Sequence, residues 1–270
     1  MATLNPPARS SIISSSSPDI KPLPLGPAVL FFAVPSLAVT IAYYWGIPAM
    51  VEWGLSQFAA YMVATMTPLA GCLVAAVVAY RLEGRPLTWA AFADRLRLRP
   101  MTRNDWIWSL GGFLFTLIGF AVMDVAGTLI SRGWISLPAS LPPALNPLMR
   151  SVADYRELMG SGAVGNWNLV VLVLAVLFFN VMGEELYFRG YIMPRQELVH
   201  GPRTWMVHFV LWTLFHVFIY WQWLYIMTVT LPVSYIAHRQ RNTWTGIIIH
   251  GLHNAVDMSL LILIILGILV

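Results

Sequence analysis

The chain has 270 residues, 58% of them hydrophobic and only 10% charged, with a mean hydropathy of +0.70; that balance excludes a soluble globular domain, whose surface needs more charge. The formal net charge is +4, but the arginines stand between apolar runs instead of forming one stripe, so the basic excess reads as membrane topology and excludes a nucleic-acid partner. The single cysteine, Cys72, lies inside an apolar run, which rules out an intrachain disulfide and a metal site built on several thiolates.

In chain order, residues 1–25 are rich in Ser and Pro, too polar to pack, and lack the basic, apolar and cleavage regions of a signal peptide. They read as a disordered tail. Apolar runs follow at 26–47, 56–80, 105–130, 166–188, 203–220, 223–238 and 243–270, several reaching the roughly 20 residues that span about 30 Å of hydrocarbon. This predicts an all-α, polytopic membrane helical bundle of about seven transmembrane helices, with a first part over 26–160 and a helical core over 161–270. Residues 203–238 are short for two full crossings and turn at Tyr220 to Trp223. Leu87 to Pro100 mixes Trp89, Phe92, Leu96 and Leu98 with charges, the pattern of a short helix on the membrane surface. Residues 131–165, with four prolines, read as an extracytoplasmic loop. With the N-terminus in the cytoplasm, all of the sixteen Lys and Arg except Arg132, Arg150 and Arg156 fall inside, which places the C-terminus outside. Aromatic residues such as Trp45, Trp53, Trp106 and Trp221 near the span ends read as interfacial anchors.

Polar residues collect where lipid would reject them. The fourth run ends in Glu184, Glu185 and Arg189, the fifth carries His208 and His216, and the seventh carries His250, His253, Asn254 and Asp257. A charged residue at bilayer depth costs roughly 2.5 to 3.5 kcal/mol on insertion scales. Glu185 and Arg189 are four apart and pair on one face, and Glu184, turned by about 100°, is left without that partner. At 1.5 Å per residue, Glu184 lies ~16 Å from Arg195, His216 ~20 Å from Arg203 and His250 ~14 Å from Arg241. The depths agree within about one helical turn. The fourth helix must then continue past Arg189, with Pro194 as its stop. Three helices would present a carboxylate, two imidazoles and an amide to one buried cavity reached from the cytoplasm. His208, His253 and Asp257 read instead as satisfied interhelical contacts, since His253 and Asp257 are themselves four apart.

Desolvation brings a buried carboxylate closer to exchanging protons at neutral pH, which suits peptide hydrolysis. Glu184 would take a proton from water with His216 holding the water, while His250 and the Asn254 amide donate to the developing oxyanion. No H-E-x-x-H, G-x-G-D or G-x-S-x-G motif offers another protease design. A transporter or scaffold using the same cluster for ion or proton coupling is the competing class, although transporters usually repeat their polar groups in both halves and this chain holds them in the second.

The strings Glu184-Glu185-Leu-Tyr-Phe-Arg189, Trp212-Thr-Leu-Phe-His216 and His250-Gly-Leu-His-Asn254 resemble the E-E-x-x-x-R, F-x-x-x-H and H-x-x-x-N/D motifs of the CPBP family, the CAAX prenyl endopeptidases and bacteriocin-processing enzymes also called the Abi family. The resemblance covers about residues 166–257 and makes 161–270 the catalytic core. It implies an intramembrane endopeptidase in which Glu184 and His216 activate water, Glu185 and Arg189 support the site, and His250 with Asn254 stabilises the oxyanion. Trp212 stands where the family usually has phenylalanine, as a cavity wall one turn before His216. The implied partners are membrane lipid and a protein or peptide substrate, lipidated or not. One zinc ion on Glu184, His216 and His250, or a bare ordered water, fits the same residues.

Overall fold

The computed structural model describes residues 20–269, and every regular element among them is helical. The expected tail lies outside the described residues as far as residue 19. Just after it, Leu23 is buried and its N–H donates to the Arg195 carbonyl at 3.0 Å.

Five stretches are long and apolar enough to cross a membrane: Leu25–Glu52, Gln57–Leu82, Arg103–Ser131, Trp167–Gln240 and Thr243–Ile265. The chain is a multi-pass membrane protein. The first stretch is α1 (Leu25–Ile41), a π-helical turn and α2 (Ile47–Glu52); the second is α3 (Gln57–Leu82). A short α4 (Trp89–Arg95) precedes the third, α5 (Arg103–Thr116) and α6 (Ile118–Ser131), and α7 (Val152–Met159) lies in the connection that follows. Polar caps set where helices begin. Ser56, Thr102, Asn166 and Asn242 each accept a backbone N–H from the helix they precede, which satisfies donors that the apolar run cannot.

The expected count of seven crossings is not confirmed: three predicted spans lie in the continuous helical run Trp167–Gln240, which folds back on itself within His216–Gln222. That run contains α8 (Trp167–Glu184), a π-helix over Glu185–Ile192, α9 (Met193–His200), α10 (Thr204–Phe215), a 3-10 segment over His216–Gln222 and α11 (Trp223–Gln240). Helix α10 has 12 residues and rises ~18 Å, short of the ~30 Å hydrocarbon core. The 3-10 segment, broken at Ile219 (φ −135°, ψ 44°), makes the expected turn back into α11. Pro194 is not the stop that its sequence position suggested. The π-helix shifts the hydrogen-bond register, so Pro194 falls in the first turn of α9, where its missing N–H costs nothing. The last span is α12 (Thr243–Ile265).

Around the surface expected for a membrane-lying helix, α4 forms, but the leucines after it turn into the protein. Leu96 and Leu98 are buried, and Arg95 reaches Glu83 at 2.6 and 2.7 Å and the Gly190 carbonyl at 3.3 Å. Burial pushes the Glu83 carboxyl up, yet the hydrogen bonds and charges of Arg95 and Arg85 outweigh it and hold the group below the usual carboxylate range. Thr243 donates through its N–H to the Arg97 carbonyl and through its hydroxyl to the Leu96 carbonyl. The segment after α4 is thereby tied to the π-helix and to the start of α12.

Helices α3 and α8 form the most extensive pair in the bundle. Their closest approach is at Gly183, where an added Cβ would collide with the Leu69 carbonyl. On α3 itself, Gly71 has open space around it. Gly183→Ala is therefore expected to cost about 1–3 kcal/mol through overpacking and to lower the melting temperature in detergent by several degrees, while Gly71→Ala leaves it unchanged or raises it. Equal melting temperatures would contradict this packing.

Candidate active site

Glu184 is the last residue of α8 and Glu185 the first of the π-helix, so the two carboxylates sit where the backbone changes its winding. Both are buried, at 3% and 0% exposure. Glu184 Oε2 accepts a 2.6 Å hydrogen bond from the Trp212 indole N–H. Glu185 turns elsewhere. Its Oε1 lies 2.9 Å from His250 Nδ1 and 3.3 Å from an Arg189 terminal nitrogen.

Arg189 is held in an unusual way. Its guanidinium carbon stands 3.2 Å from the centroid of the Trp212 ring, and none of its three nitrogens makes a hydrogen bond among the described residues. Cation–π contact and the Glu185 charge replace hydrogen bonding there. Trp212 thus joins both acids: one face carries the arginine and its N–H holds Glu184.

Helix α10 ends at Phe215, and His216 begins the 3-10 segment. Its Nδ1 lies 2.8 Å from the Trp212 carbonyl. A carbonyl only accepts, so Nδ1 carries the proton and Nε2 keeps its lone pair. On α12, His250 puts Nδ1 on the Glu185 carboxylate, again leaving Nε2 for the cavity. Gly246, one turn earlier on α12, makes that contact possible, because any Cβ there would collide with Glu185 Oε2. Asn254 donates from its amide nitrogen to the Asn180 side-chain oxygen at 3.1 Å.

A cavity of ≈ 600 Å³ brings Glu184, Trp212, His216, His250 and Asn254 together on its lining. These predicted residues thus line one cavity, with Glu185 and Arg189 packed behind it. The sequence predicts access from the arginine-rich side, whereas the lining extends the other way. Its lining runs along α12 to Leu261 and reaches Leu145, Arg150 and Tyr155 of the 131–165 connection. Below the site the way is filled, with Phe188, Gln196 and His208 each fully buried.

Two groups on the lining carry no motif. Asn180 stands four residues before Glu184 in an otherwise apolar run, and that lone amide was the available signal. Tyr225 donates to Asp257 Oδ2 at 2.7 Å and meets His253 Nε2 at 2.7 Å, while His253 Nδ1 meets the Thr116 hydroxyl at 3.0 Å. His253 and Asp257 are therefore linked mainly through Tyr225, their own separation being 3.8 Å. His208 Nδ1 meets the Gln196 side-chain oxygen at 2.7 Å, but its Nε2 and the Gln196 amide nitrogen have no partner among the described residues, so the expected satisfied contact is only half made.

The hydrogen-bonding of both imidazoles has the form that metal-bound histidines take, with the second ring nitrogen on a carboxylate or a carbonyl. As the side chains stand, the donor set is not assembled: among the described residues no three His, Cys, Asp or Glu side chains are close enough together to hold a metal ion.

Residues 166–256 match the family of Rce1-like type II CAAX prenyl endopeptidases. The match contains all three motif segments and both α8 and α10, and residues 1–165 lie outside it. No curated protein and no solved structure matches the chain.

The Gly246 contact yields a direct test. Gly246→Ala is expected to push Glu185 away from His250, lowering the melting temperature and any peptide hydrolysis by at least about tenfold, the ~1.4 kcal/mol scale of one lost buried contact to a charged group. Gly251→Ala on the same helix, whose Cβ would meet only Val181 at 3.6 Å, should leave both within error. Parallel thermal melts and peptide assays check the pair.

Proposed function

We propose that this chain, whose residues 166–256 match the Rce1-like type II CAAX prenyl endopeptidase family, hydrolyses a peptide bond of a membrane-associated or lipidated protein with water activated by Glu184. The observation that carries the reading is the shared cavity lining of Glu184, His216, His250 and Asn254.

Each side chain has one role that its hydrogen bonds permit. Trp212 occupies Glu184 Oε2, so Oε1 is the oxygen left to take a proton from water. His216, with its proton fixed on Nδ1 by the Trp212 carbonyl, can accept the second water hydrogen at Nε2 and hold the oxygen lone pair toward the substrate. The water oxygen adds to the scissile carbonyl carbon, and the carbonyl oxygen takes the negative charge. Asn254 keeps one amide hydrogen free after donating to Asn180 and can donate to that oxyanion. His250 can donate from Nε2 when it is protonated there, and the Glu185 carboxylate on Nδ1 balances that charge. As the carbon–nitrogen bond breaks, Glu184 returns its proton to the leaving amine. No step runs through a metal ion.

The CAAX assignment of the family supports a substrate cleaved near its C-terminus, and the apolar surroundings of the cavity support one delivered within the bilayer. Purified protein in liposomes is expected to cleave a prenylated C-terminal peptide. Glu184→Gln should reduce this by about 10³-fold, within the 10² to 10⁴ range of a positioned general base, with unchanged melting temperature. Chelator treatment should leave the wild-type rate intact, and elemental analysis should find less than one zinc per active chain. Cleavage retained by Glu184→Gln, or lost on chelation and restored by zinc, would defeat the scheme.

Trp212 offers a second test specific to this chain. Trp212→Phe keeps an aromatic ring but removes the N–H that orients Glu184, so kcat is expected to fall by about ten- to a hundredfold, matching a hydrogen bond to a charged group of ~1.5–3 kcal/mol. KM should stay within about twofold, because the ring still walls the cavity. A changed KM with an unchanged kcat would make Trp212 a binding residue instead.

A further inference from the structure

Further along α11 from the active-site cavity, a second pocket of ≈ 540 Å³ opens between α5, α10 and α11. Its lining is Ile107, Trp108, Gly111, Phe115, Trp205 and Tyr235 among others, almost wholly apolar. Two contacts shape it. Tyr235 packs edge-on against Trp205 at 5.4 Å and against Trp108 at 6.1 Å. Gly111 leaves the space itself, since a Cβ there would meet nothing within 4 Å. Its neighbour Gly112 closes the floor by letting Ile236 and Ile249 press against α5.

The charges around the mouth follow from helical spacing. Arg103, Ile107, Gly111 and Phe115 are four apart on α5 and share one stripe, so the stripe that lines the groove starts at an arginine. Arg239 lies four residues after Tyr235 on α11, and its guanidinium carbon stands 4.8 Å from the Trp108 ring centroid. Arg203 directly precedes α10 and Trp205. All three arginines are exposed, and among the described residues no carboxylate pairs with any of them. The groove therefore runs from a rim of unpaired cations about 12 Å into the hydrocarbon, measured from Ile107 to Phe115 along α5.

We infer that this groove binds one acyl chain of an anionic phospholipid, with the lipid phosphate held at the rim by Arg239, Arg203 and Arg103. The apolar lining accounts for the chain, and the unpaired cations account for the headgroup charge, which basic residues near a membrane surface attract. A zwitterionic lipid would fill the groove equally well but gain less at the rim. The site also has a physical connection to the active centre. Its floor residues Gly112 and Ile236 meet Ile249, the residue before His250. The proposal does not depend on the peptidase reading, and its readout is lipid binding.

The test is native mass spectrometry of the full chain in detergent, titrated with phosphatidylglycerol or phosphatidylcholine. One phosphatidylglycerol per chain is expected to bind at least tenfold more tightly than phosphatidylcholine. Gly111→Leu should fill the groove and abolish that binding while the melting temperature stays unchanged or rises. Arg239→Gln should weaken it about fivefold, which is the ~1 kcal/mol of one basic residue near an anionic surface. Equal binding of the two lipids, or undiminished binding to Gly111→Leu, overturns the proposal. So does displacement of the lipid by a prenylated peptide, which would give the groove to the substrate's anchor. A dimer that Gly111→Leu converts to monomer would give it to a second copy of the chain, with the same result.

Discussion

The Glu185 carboxylate, buried and shared between Arg189 and His250, is the interaction on which the site depends. Taking an ion out of water costs several kcal/mol even after relaxation, and a lone carboxylate at this depth would be expelled or neutralised. Three features offset that cost together. Arg189 supplies the opposite charge, His250 supplies a hydrogen bond, and Trp212 supplies a π-face for the guanidinium, which makes no hydrogen bond of its own. Removing any one of them strands a charge in the interior. The arrangement is thus rigid for energetic reasons, and its rigidity passes to the cavity because Trp212 also grips Glu184.

The same constraint explains the backbone around it. Two consecutive glutamates on an α-helix point about 100° apart, and here one must meet Trp212 on α10 while the other meets His250 on α12. The helix changes to π winding at the second glutamate, which is where such bulges gather in functional sites. Small residues let the partners close in: Gly183 against α3 and Gly246 against Glu185. The far end of the π-helix is held from outside the family-matched region, since Arg95 donates to the Gly190 carbonyl and Leu96 packs on Gly190. Residues 83–99 thereby fix both the π-helix and the start of α12, so the unmatched first half of the chain contributes the frame in which the matched half works.

Much of this was legible in the sequence, for a physical reason. Lipid makes polar residues expensive, so Glu184, His216, His250 and Asn254 stood out, and their distances from arginines at the membrane edge placed them at one depth. What failed was information that composition does not carry. A π-helix differs from an α-helix only in hydrogen-bond register, so the continuation through Pro194 was invisible, although the shortness of residues 203–238 for two crossings was not. Spacing showed that Glu185 could reach Arg189, but only the packing of α12 shows that it also holds His250. Trp212 was legible as a wall and not as a donor, because the direction of an indole N–H depends on tertiary context.

The direction of the cavity carries the last step. Toward the arginine-rich ends the site is floored by the Glu185–Arg189 pair and by buried Phe188, Gln196 and His208. On the other side the lining continues past Tyr225, His253 and Asp257 to the 131–165 connection. Those three side chains form a hydrogen-bonded chain with Thr116, which gives the passage a polar wall that water can wet. On the proposed peptidase reading, a peptide entering from this side would share the passage with water and shut out bulk solvent as it fills it, leaving a water between Glu184 and His216 to react. Closure of the floor is what makes this possible, and the floor exists because two charged residues were cheaper to bury as a pair around Trp212 than to expose.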